Sequence, residues 1–313
     1  MLTPAARGTL GETVLEALRA GNTAGLAELP GPDDADDAQI TLWSLFELHH
    51  RGFDDVADEL EWDPQLIALR RRLEDDLEQQ LRDRAPEPPA PGAFAEDFFA
   101  FIAGHDGPSA AAHLHRTATK EQALEFLRHK SIYTLKESDH TTWTIPRLSY
   151  PVKAAVVELQ YDEYGGGNPH RLHANLFAKG LAASGLDAEY GAYIDEAPLE
   201  VLVQNNVMSL LGLNRRLRAA SLGFLAAFEA TSSAPSRKIA RGLQRLDFPA
   251  EMIEYYTEHV EADAVHEQLA VRTVCGALLE EEPEQYENVY FGAWACLHVE
   301  DLYADRVLKE WTG

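Results

Sequence analysis

Apolar residues recur every three or four positions along nearly the whole chain. Clear examples are GETVLEALRAG near the N-terminus, PQLIALRRRLEDDLEQQLRDR from residue 64, and YENVYFGAWACLHVEDLYADRVLKEW near the C-terminus. This spacing places the apolar side chains on one face of an α-helix. Runs that alternate apolar and polar residues, as strands do, are scarce. The sequence therefore predicts an all-α protein of packed helices.

The chain is long enough for one large core or for a core and a smaller domain, with 313 residues of which 45% are hydrophobic. The stretch APEPPAPGA at 85–93 is rich in proline and interrupts the helical pattern. We therefore predict an acidic N-terminal helical extension at 1–93 and a main helical bundle at 94–313. The alternative is that 85–93 forms a rigid loop within a single domain.

Charge excludes two classes of partner. Acidic residues exceed basic ones by 52 to 27, which gives a net charge of −25. Nucleic acids and anionic membranes require cationic patches, so neither is expected to bind. The two cysteines are too few for a disulfide framework, and the N-terminus lacks the apolar run of a signal peptide. We expect a cytoplasmic protein.

The segment EHVEADAVHEQ contains histidines and an aspartate at helical spacing. His259, Asp263 and His266 are separated by four and three residues, which places them within about 60° of one another on a helix. Such a face is able to bind a metal ion. The alternative interpretation is a solvated face, because glutamates are frequent on the same helix.

Two further features have the same ligand chemistry. Glu229 lies in the otherwise apolar run LGFLAAFEATSS, where a buried carboxylate must be paired, metal-bound or protonated, unless it lies near the helix end and faces solvent. The segment ELQYDEYGGGNPHRLHANLF contains Glu163 before three glycines, which are expected to break a helix, and His173 after them. Carboxylates and imidazoles without thiolates suit iron or manganese.

Three motifs in this order resemble the haem-oxygenase-like diiron oxidases and oxygenases, also called iron-containing redox enzymes. They are DEYGGGNPHRLHANLF, GFLAAFEATSSAPSR and the H-x3-D-x2-H pattern of EHVEADAVHEQ. The likeness extends over roughly residues 110 to 300. It implies an all-α, haem-oxygenase-like helical bundle.

The resemblance also implies a set of metal ligands. Carried over residue by residue, the ligands are Glu137 in YTLKESDH, His173, Glu229, His259, Asp263 and His266, with Glu163 matching an additional glutamate that some members use. We expect Glu137 on a helix that precedes His173. His170 competes with His173, which we prefer because it shares a helix face with Leu176 and Phe177.

The function implied by the resemblance is O2-dependent oxidation of a small organic substrate by two iron ions, which alternate between Fe(II) and Fe(III). Amine N-oxygenation and oxidative C–C cleavage or desaturation of an amino or fatty acid both remain open. The electron donor is unknown, and a homodimer is expected from the family. The alternatives are a metal-independent enzyme of the same fold, a non-catalytic partner-binding protein of a biosynthetic pathway and, less favoured, a haem protein.

Overall fold

The computed structural model describes the side chains of residues 1–260 and 266–313. The first seven helices are α1 Thr9–Ala20, α2 Ala35–Glu47, α3 Pro64–Arg82, α4 Phe94–Ala103, α5 Ala110–Arg116, α6 Lys120–Thr134 and α7 Asp139–Thr142. The second seven are α8 Tyr150–Glu163, α9 His173–Ala183, α10 Leu199–Leu213, α11 Arg218–Arg245, α12 Ala250–Gln268, α13 Gly276–Glu281 and α14 Tyr286–Thr312. The described part of the chain contains no strand, so the all-α prediction is confirmed.

The centre of the bundle is formed by α11 and α14. The two helices approach closely because small residues lie at their contact. A Cβ atom on Gly292 would overlap the carbonyl oxygen of Ala220, and one on Gly223 would overlap that of Val289. This packing fixes α11, the helix that contains Glu229, in the middle of the molecule.

Helices α9 and α12 pack against each other, and α12 also packs against α11. A π-helical segment, Leu269–Cys275, follows α12 and packs against α8 and α11. Wide turns of this kind interrupt regular helices frequently at functional sites. The arrangement brings the C-terminal end of α8, the start of α9, the middle of α11 and the second half of α12 together.

The glycines at 165–167 separate α8 from α9, as expected. All three have positive φ angles, between 63° and 79°, a region that glycine adopts without steric cost. The turn allows the chain to leave α8 directly after Glu163 and to begin α9 at His173. Two candidate ligands therefore lie at adjacent helix ends.

The N-terminal helices share a hydrophobic core with the bundle. Leu15 of α1 and Leu45 of α2 belong to the same buried cluster as Leu210 of α10 and Ala226 of α11. Helix α2 also packs directly on α10. The division into an extension at 1–93 and a bundle at 94–313 stays a prediction.

Candidate metal centre

Glu137, His173 and His259 form the first of two buried sets of metal-ligand side chains. One ligand atom from each residue lies within 4.8 Å of those of the other two. The Nε2 atom of His259 is 3.6 Å from Oε1 of Glu137, and the imidazole rings of His173 and His259 are 4.5 Å apart between centroids. The set thus joins the turn before α7, the start of α9 and the middle of α12.

The position of Glu137 differs from the one expected, because it lies beyond the end of α6 rather than on a helix. Helix α6 ends at Thr134, and Ser138 has a φ of 71°, a left-handed conformation that stops helical continuation. Lys136 forms an ion pair with Glu47, while Glu137 contacts Tyr255 and His259. Because the helix ends here, the adjacent side chains of Lys136 and Glu137 contact different partners.

Glu163, Glu229 and His266 form the second set, also with ligand atoms within 4.8 Å of one another. The Nδ1 atom of His266 lies 3.4 Å from Oε1 of Glu163 and 3.6 Å from Oε2 of Glu229. Glu229 is not near a helix end, since α11 continues to Arg245, and its side chain is buried. The two histidines of α12 therefore serve different sets.

Hydrogen bonds from neighbouring residues orient the first set. The hydroxyl of Tyr255 donates to Glu137, with distances of 2.9 Å and 3.1 Å to the carboxylate oxygens. Nδ1 of His259 is 2.7 Å from the carbonyl oxygen of Tyr255. A carbonyl oxygen only accepts, so this Nδ1 carries the proton and Nε2 is the atom directed at the set. Such partners fix the ring orientation of a metal-binding histidine.

The second set has a partner that the sequence motifs did not identify. Oδ2 of Asp162 lies 3.3 Å from Nε2 of His266, on the ring edge opposite to Glu163 and Glu229. Ser138 also donates a hydrogen bond to Oε2 of Glu163 at 3.1 Å. A carboxylate behind a metal-binding imidazole raises its basicity and fixes its orientation. The signal available in the sequence was the adjacency of two acids in YDEYGGG.

In the metal-free protein, protons compensate the buried carboxylates. Burial lowers the pKa of His266, but Glu163 and Glu229 raise it by more, to about 11. Burial raises the pKa of Glu163, but the contacts with His173 and His266 outweigh burial and hold that pKa well below its usual range. His266 is therefore protonated at neutral pH, and a metal cation at this set would displace that proton.

The structure distinguishes His173 from its competitor. His173 is buried, with Nδ1 3.0 Å from Oε2 of Glu163, whereas His170 is exposed. Asp263, the remaining residue of the predicted set, lies outside the described residues. The structure thus brings together Glu137, Glu163, His173, Glu229, His259 and His266, and their role as ligands stays a prediction.

The chemistry of the donors fits iron. The six side chains supply three carboxylates and three imidazoles, and all are buried. Mixed carboxylate and imidazole donors in a helical bundle are typical of paired iron or manganese ions. Burying three carboxylates together is costly unless cations compensate them. The residues present are therefore suited to the iron ions that the resemblance implies.

A cleft leads from the first set toward the surface. Its volume is about 320 Å³, and both Glu137 and His259 line its inner end. Aromatic side chains such as Phe126 and Tyr256 form much of the wall, and Lys130 and Glu300 contribute an ion pair with contacts of 3.1 Å. A space of this volume is typical of a small-molecule site.

The same fold occurs in a CADD-like protein of unknown function from Nostoc punctiforme. Its crystal structure at 2.00 Å matches with a TM-score of 0.53 and 18% sequence identity, over 77% of this chain and 99% of that one. A second crystal structure of that protein, at 1.35 Å, gives a TM-score of 0.51 and 17% identity, over 76% and 95%. At this identity the likeness shows the fold alone. A search of the curated proteins gave no match.

No described helix has the length and apolar character needed to cross a membrane.

Residues 124–301 match the model of a family described as "Iron-containing redox enzyme". This range includes the six residues of the two sets and the three motifs that predicted the relationship. The haem-oxygenase-like fold predicted from those motifs is therefore confirmed, and the chain belongs to the iron-containing redox enzyme family.

Proposed function

We propose that this protein is a non-haem diiron enzyme that uses O2 to oxidise a small organic substrate. The observation that carries the proposal is the adjacency of two buried three-ligand sets, each with carboxylate and imidazole donors. Structural zinc sites favour thiolates and a single closed set of ligands. The donor set here, and the redox family, favour iron instead.

Glu137, His173 and His259 would hold one iron, and Glu163, Glu229 and His266 the other. When bound, the irons would supply the reduction of O2 and the oxidation of the substrate. The chain's own residues orient the ligands. Tyr255 donates a hydrogen bond to Glu137, and Asp162 contacts the rear of the His266 ring. The proton that His266 holds beside Glu163 and Glu229 in the metal-free protein would be released when the metal binds.

The volume and position of the cleft suit a small substrate that approaches the first ligand set. Glu137 and His259 lie at its inner end, and aromatic side chains such as Phe126 and Tyr256 form part of the wall around them. The Lys130–Glu300 ion pair offers both a cation and an anion to a polar group of the substrate. Amine N-oxygenation and oxidative cleavage or desaturation of an amino or fatty acid are all compatible with such a cleft. We also propose that the protein is a cytoplasmic homodimer and that it receives electrons from a separate donor.

Anaerobic titration of metal-free protein with Fe(II) tests this function, followed by rapid mixing with O2 under visible and Mössbauer spectroscopy. We expect two irons per chain and O2-dependent oxidation to the ferric state. His259→Ala and His266→Ala should each lose iron. His298→Ala is the matched control, because His298 belongs to neither set and stacks on Trp294 at 4.7 Å.

Other outcomes would support the alternatives. Failure to take up iron, with substrate turnover retained, would indicate a metal-independent enzyme of this fold. Binding of a partner protein that is unaffected by both histidine variants, without any oxidation, would favour a partner-binding role. A Soret band after incubation with haem would favour a haem protein.

A further inference from the structure

An exposed apolar stripe runs along the outer face of α8. Most of the large hydrophobic side chains that are exposed in the described part of the chain lie on this helix: Tyr150 is 89% exposed, Val157 46% and Tyr161 60%. Ala154, between them, is exposed as well. We call Tyr150, Ala154, Val157 and Tyr161 the α8 stripe. Single exposed hydrophobic residues are common, but a contiguous set of them marks an interaction site.

The residues of the α8 stripe have the spacing of a helix–helix seam. They are separated by four, three and four positions, so they fall within an arc of about 60° at 100° per residue. This is the spacing of the d and a positions of a heptad, which meet those of the facing helix in a coiled coil. The stripe is therefore suited to pack against one other helix.

The α8 stripe is a second apolar face of its helix. Val152, Val156 and Leu159 are each 0% exposed and join the opposite side of α8 to the hydrophobic core of the bundle. The helix therefore does not need the stripe for packing within its own chain. A helix with apolar residues all round is typically buried on all sides, and α8 is covered on one side only.

Charged side chains flank the α8 stripe on opposite sides. Lys153 directly precedes Ala154, and Glu158 directly follows Val157. In the heptad that the stripe defines, these are a g and an e position, where charged pairs between helices set the choice and orientation of the partner. Within the described residues neither side chain forms an ion pair. Both are thus available to a partner.

These charges distinguish the two ways in which α8 can pair with a second copy of itself. In a parallel pair related by a twofold axis, a g residue faces the e residue five positions further along the other helix. Lys153 then faces Glu158 of the partner subunit, and symmetry forms this contact twice. In an antiparallel pair each flank faces its own copy, so Lys153 and Glu158 do not meet. The charge pattern therefore favours the parallel pair.

We propose that the α8 stripe is the surface through which two copies of this chain associate, with their α8 helices parallel and in register. The proposal rests on the homodimer of the proposed function and names its interface. The stripe ends at Tyr161, two residues before Glu163, so the interface lies beside the second ligand set. Both sets consist of side chains of one chain, so the variants below should leave iron binding unchanged.

Sedimentation equilibrium of the full-length, metal-free protein at about 0.15 M salt tests the surface. The wild type should show a monomer–dimer equilibrium. Val157→Glu places two carboxylates opposite each other in the seam and should raise the Kd of the dimer at least about tenfold. Leu2→Glu is the matched control, because Leu2 is 66% exposed and lies outside α8. It should leave the Kd unchanged.

A wild type that stays monomeric, or a dimer that is equally stable in Val157→Glu, would overturn the proposal. The first result would leave the stripe to a different protein, and the second would place the dimer interface elsewhere. Because no iron is present, either result is distinct from a failure of the proposed diiron chemistry.

Charge reversal tests the contact between Lys153 and Glu158. Lys153→Glu and Glu158→Lys each place like charges on both flanks and should each raise the Kd at least about fourfold. Combining them restores opposite charges and should return the Kd to within about twofold of the wild type. Glu158→Lys also reduces the net charge of −25, so general repulsion alone would strengthen the dimer instead. A double variant as weak as the single variants would overturn the parallel register.

Val157→Cys tests the register directly. In a parallel pair the two new cysteines face each other across the seam, within reach of a disulfide. An antiparallel pair that keeps the stripe in contact places residue 157 opposite residue 154 instead. The native Cys275 and Cys296 are buried and do not compete. Mild oxidation should give a covalent dimer of Val157→Cys but not of the control Leu2→Cys, and absence of that dimer would contradict the parallel arrangement.

Discussion

Nδ1 of His173 lies 3.0 Å from Oε2 of Glu163, although the two side chains belong to different ligand sets. The other oxygen of Glu163, Oε1, lies 3.4 Å from Nδ1 of His266. One carboxylate therefore contacts an imidazole of each set. With one oxygen toward each side, Glu163 is positioned to interact with cations at both sets at once.

The first prediction follows from this position. Glu163→Gln keeps the size of the side chain but removes its charge. We therefore expect one tightly bound iron per chain in place of two, with the affinity for the second iron reduced at least about tenfold. Anaerobic Fe(II) titration with metal analysis measures both quantities. Glu158→Gln changes an exposed glutamate of the same helix and should bind two irons. Full, tight loading of Glu163→Gln would show that this residue is not a ligand.

The second prediction concerns Asp162, which contacts the rear of the His266 ring. Asp162→Asn removes the negative charge that raises the basicity of this imidazole. Loss of such a partner costs about tenfold to a hundredfold in metal affinity. We expect the weaker binding step of an Fe(II) titration to shift by this factor, while the first step stays unchanged. Equal Fe(II) affinities in the wild type and in Asp162→Asn would show that the Asp162 contact does not contribute to metal binding.

Several parts of the centre were predictable from the sequence because they depend on local geometry. The spacing of His259 and His266 places both on one face of α12, and both are buried in the structure. Glu229 was conspicuous because a carboxylate is rare inside an apolar helix. His173 was favoured over His170 because it shares a helix face with Phe177, and the structure buries both His173 and Phe177.

The remaining features depend on tertiary contacts that local patterns do not contain. Glu137 lies in a turn, because α6 ends two residues before Lys136, and Lys136 reaches Glu47 of α2. The predicted extension at 1–93 is acidic, yet Glu47 within it is fully buried. The role of Asp162 depends on a histidine 104 residues away.

The third prediction tests the buried ion pair between Lys136 and Glu47. Nζ of Lys136 donates to Oε2 of Glu47 at 2.9 Å, and the two side chains are 1% and 0% exposed. Lys136→Met would leave a buried carboxylate without its cation, with the Tyr190 hydroxyl and the backbone N–H of Arg51 still donating to it. We expect a loss of about 3–5 kcal/mol in the free energy of unfolding, measured by urea denaturation.

Lys130→Met provides the control for this prediction. Its ion pair with Glu300 is partly exposed, at 17% and 40%, so its removal should cost less than about 1 kcal/mol. Adding Glu47→Gln to Lys136→Met should recover part of the lost stability, because the uncompensated charge disappears. Similar losses in Lys130→Met and Lys136→Met would argue against a special contribution of the buried pair.

The last prediction concerns the dependence of stability on pH. His129 of α6 is buried, with Nδ1 3.3 Å from the hydroxyl of Tyr303. Burial lowers its pKa from 6.5 to about 4, against a smaller opposing effect of Glu125. Between these two pKa values the unfolded chain binds a proton that the folded chain does not. The free energy of unfolding must therefore fall as pH decreases from about 6.5 toward 4, and His129 contributes no pH dependence above that window.

His129→Gln keeps a polar partner for Tyr303 and removes the titrating group. Urea denaturation at several pH values from about 7.5 down to about 5.2, just above the isoelectric point of about 4.8, isolates its contribution by difference. Only the wild type contains this histidine, which binds a proton in the unfolded chain but not in the folded protein. Its free energy of unfolding should therefore fall by about 2 kcal/mol more than that of the variant over this range. Between pH 7 and 7.5 the two curves should run parallel. Curves that stay parallel down to pH 5.2 would mean that His129 accepts a proton in the folded protein as readily as in the unfolded chain.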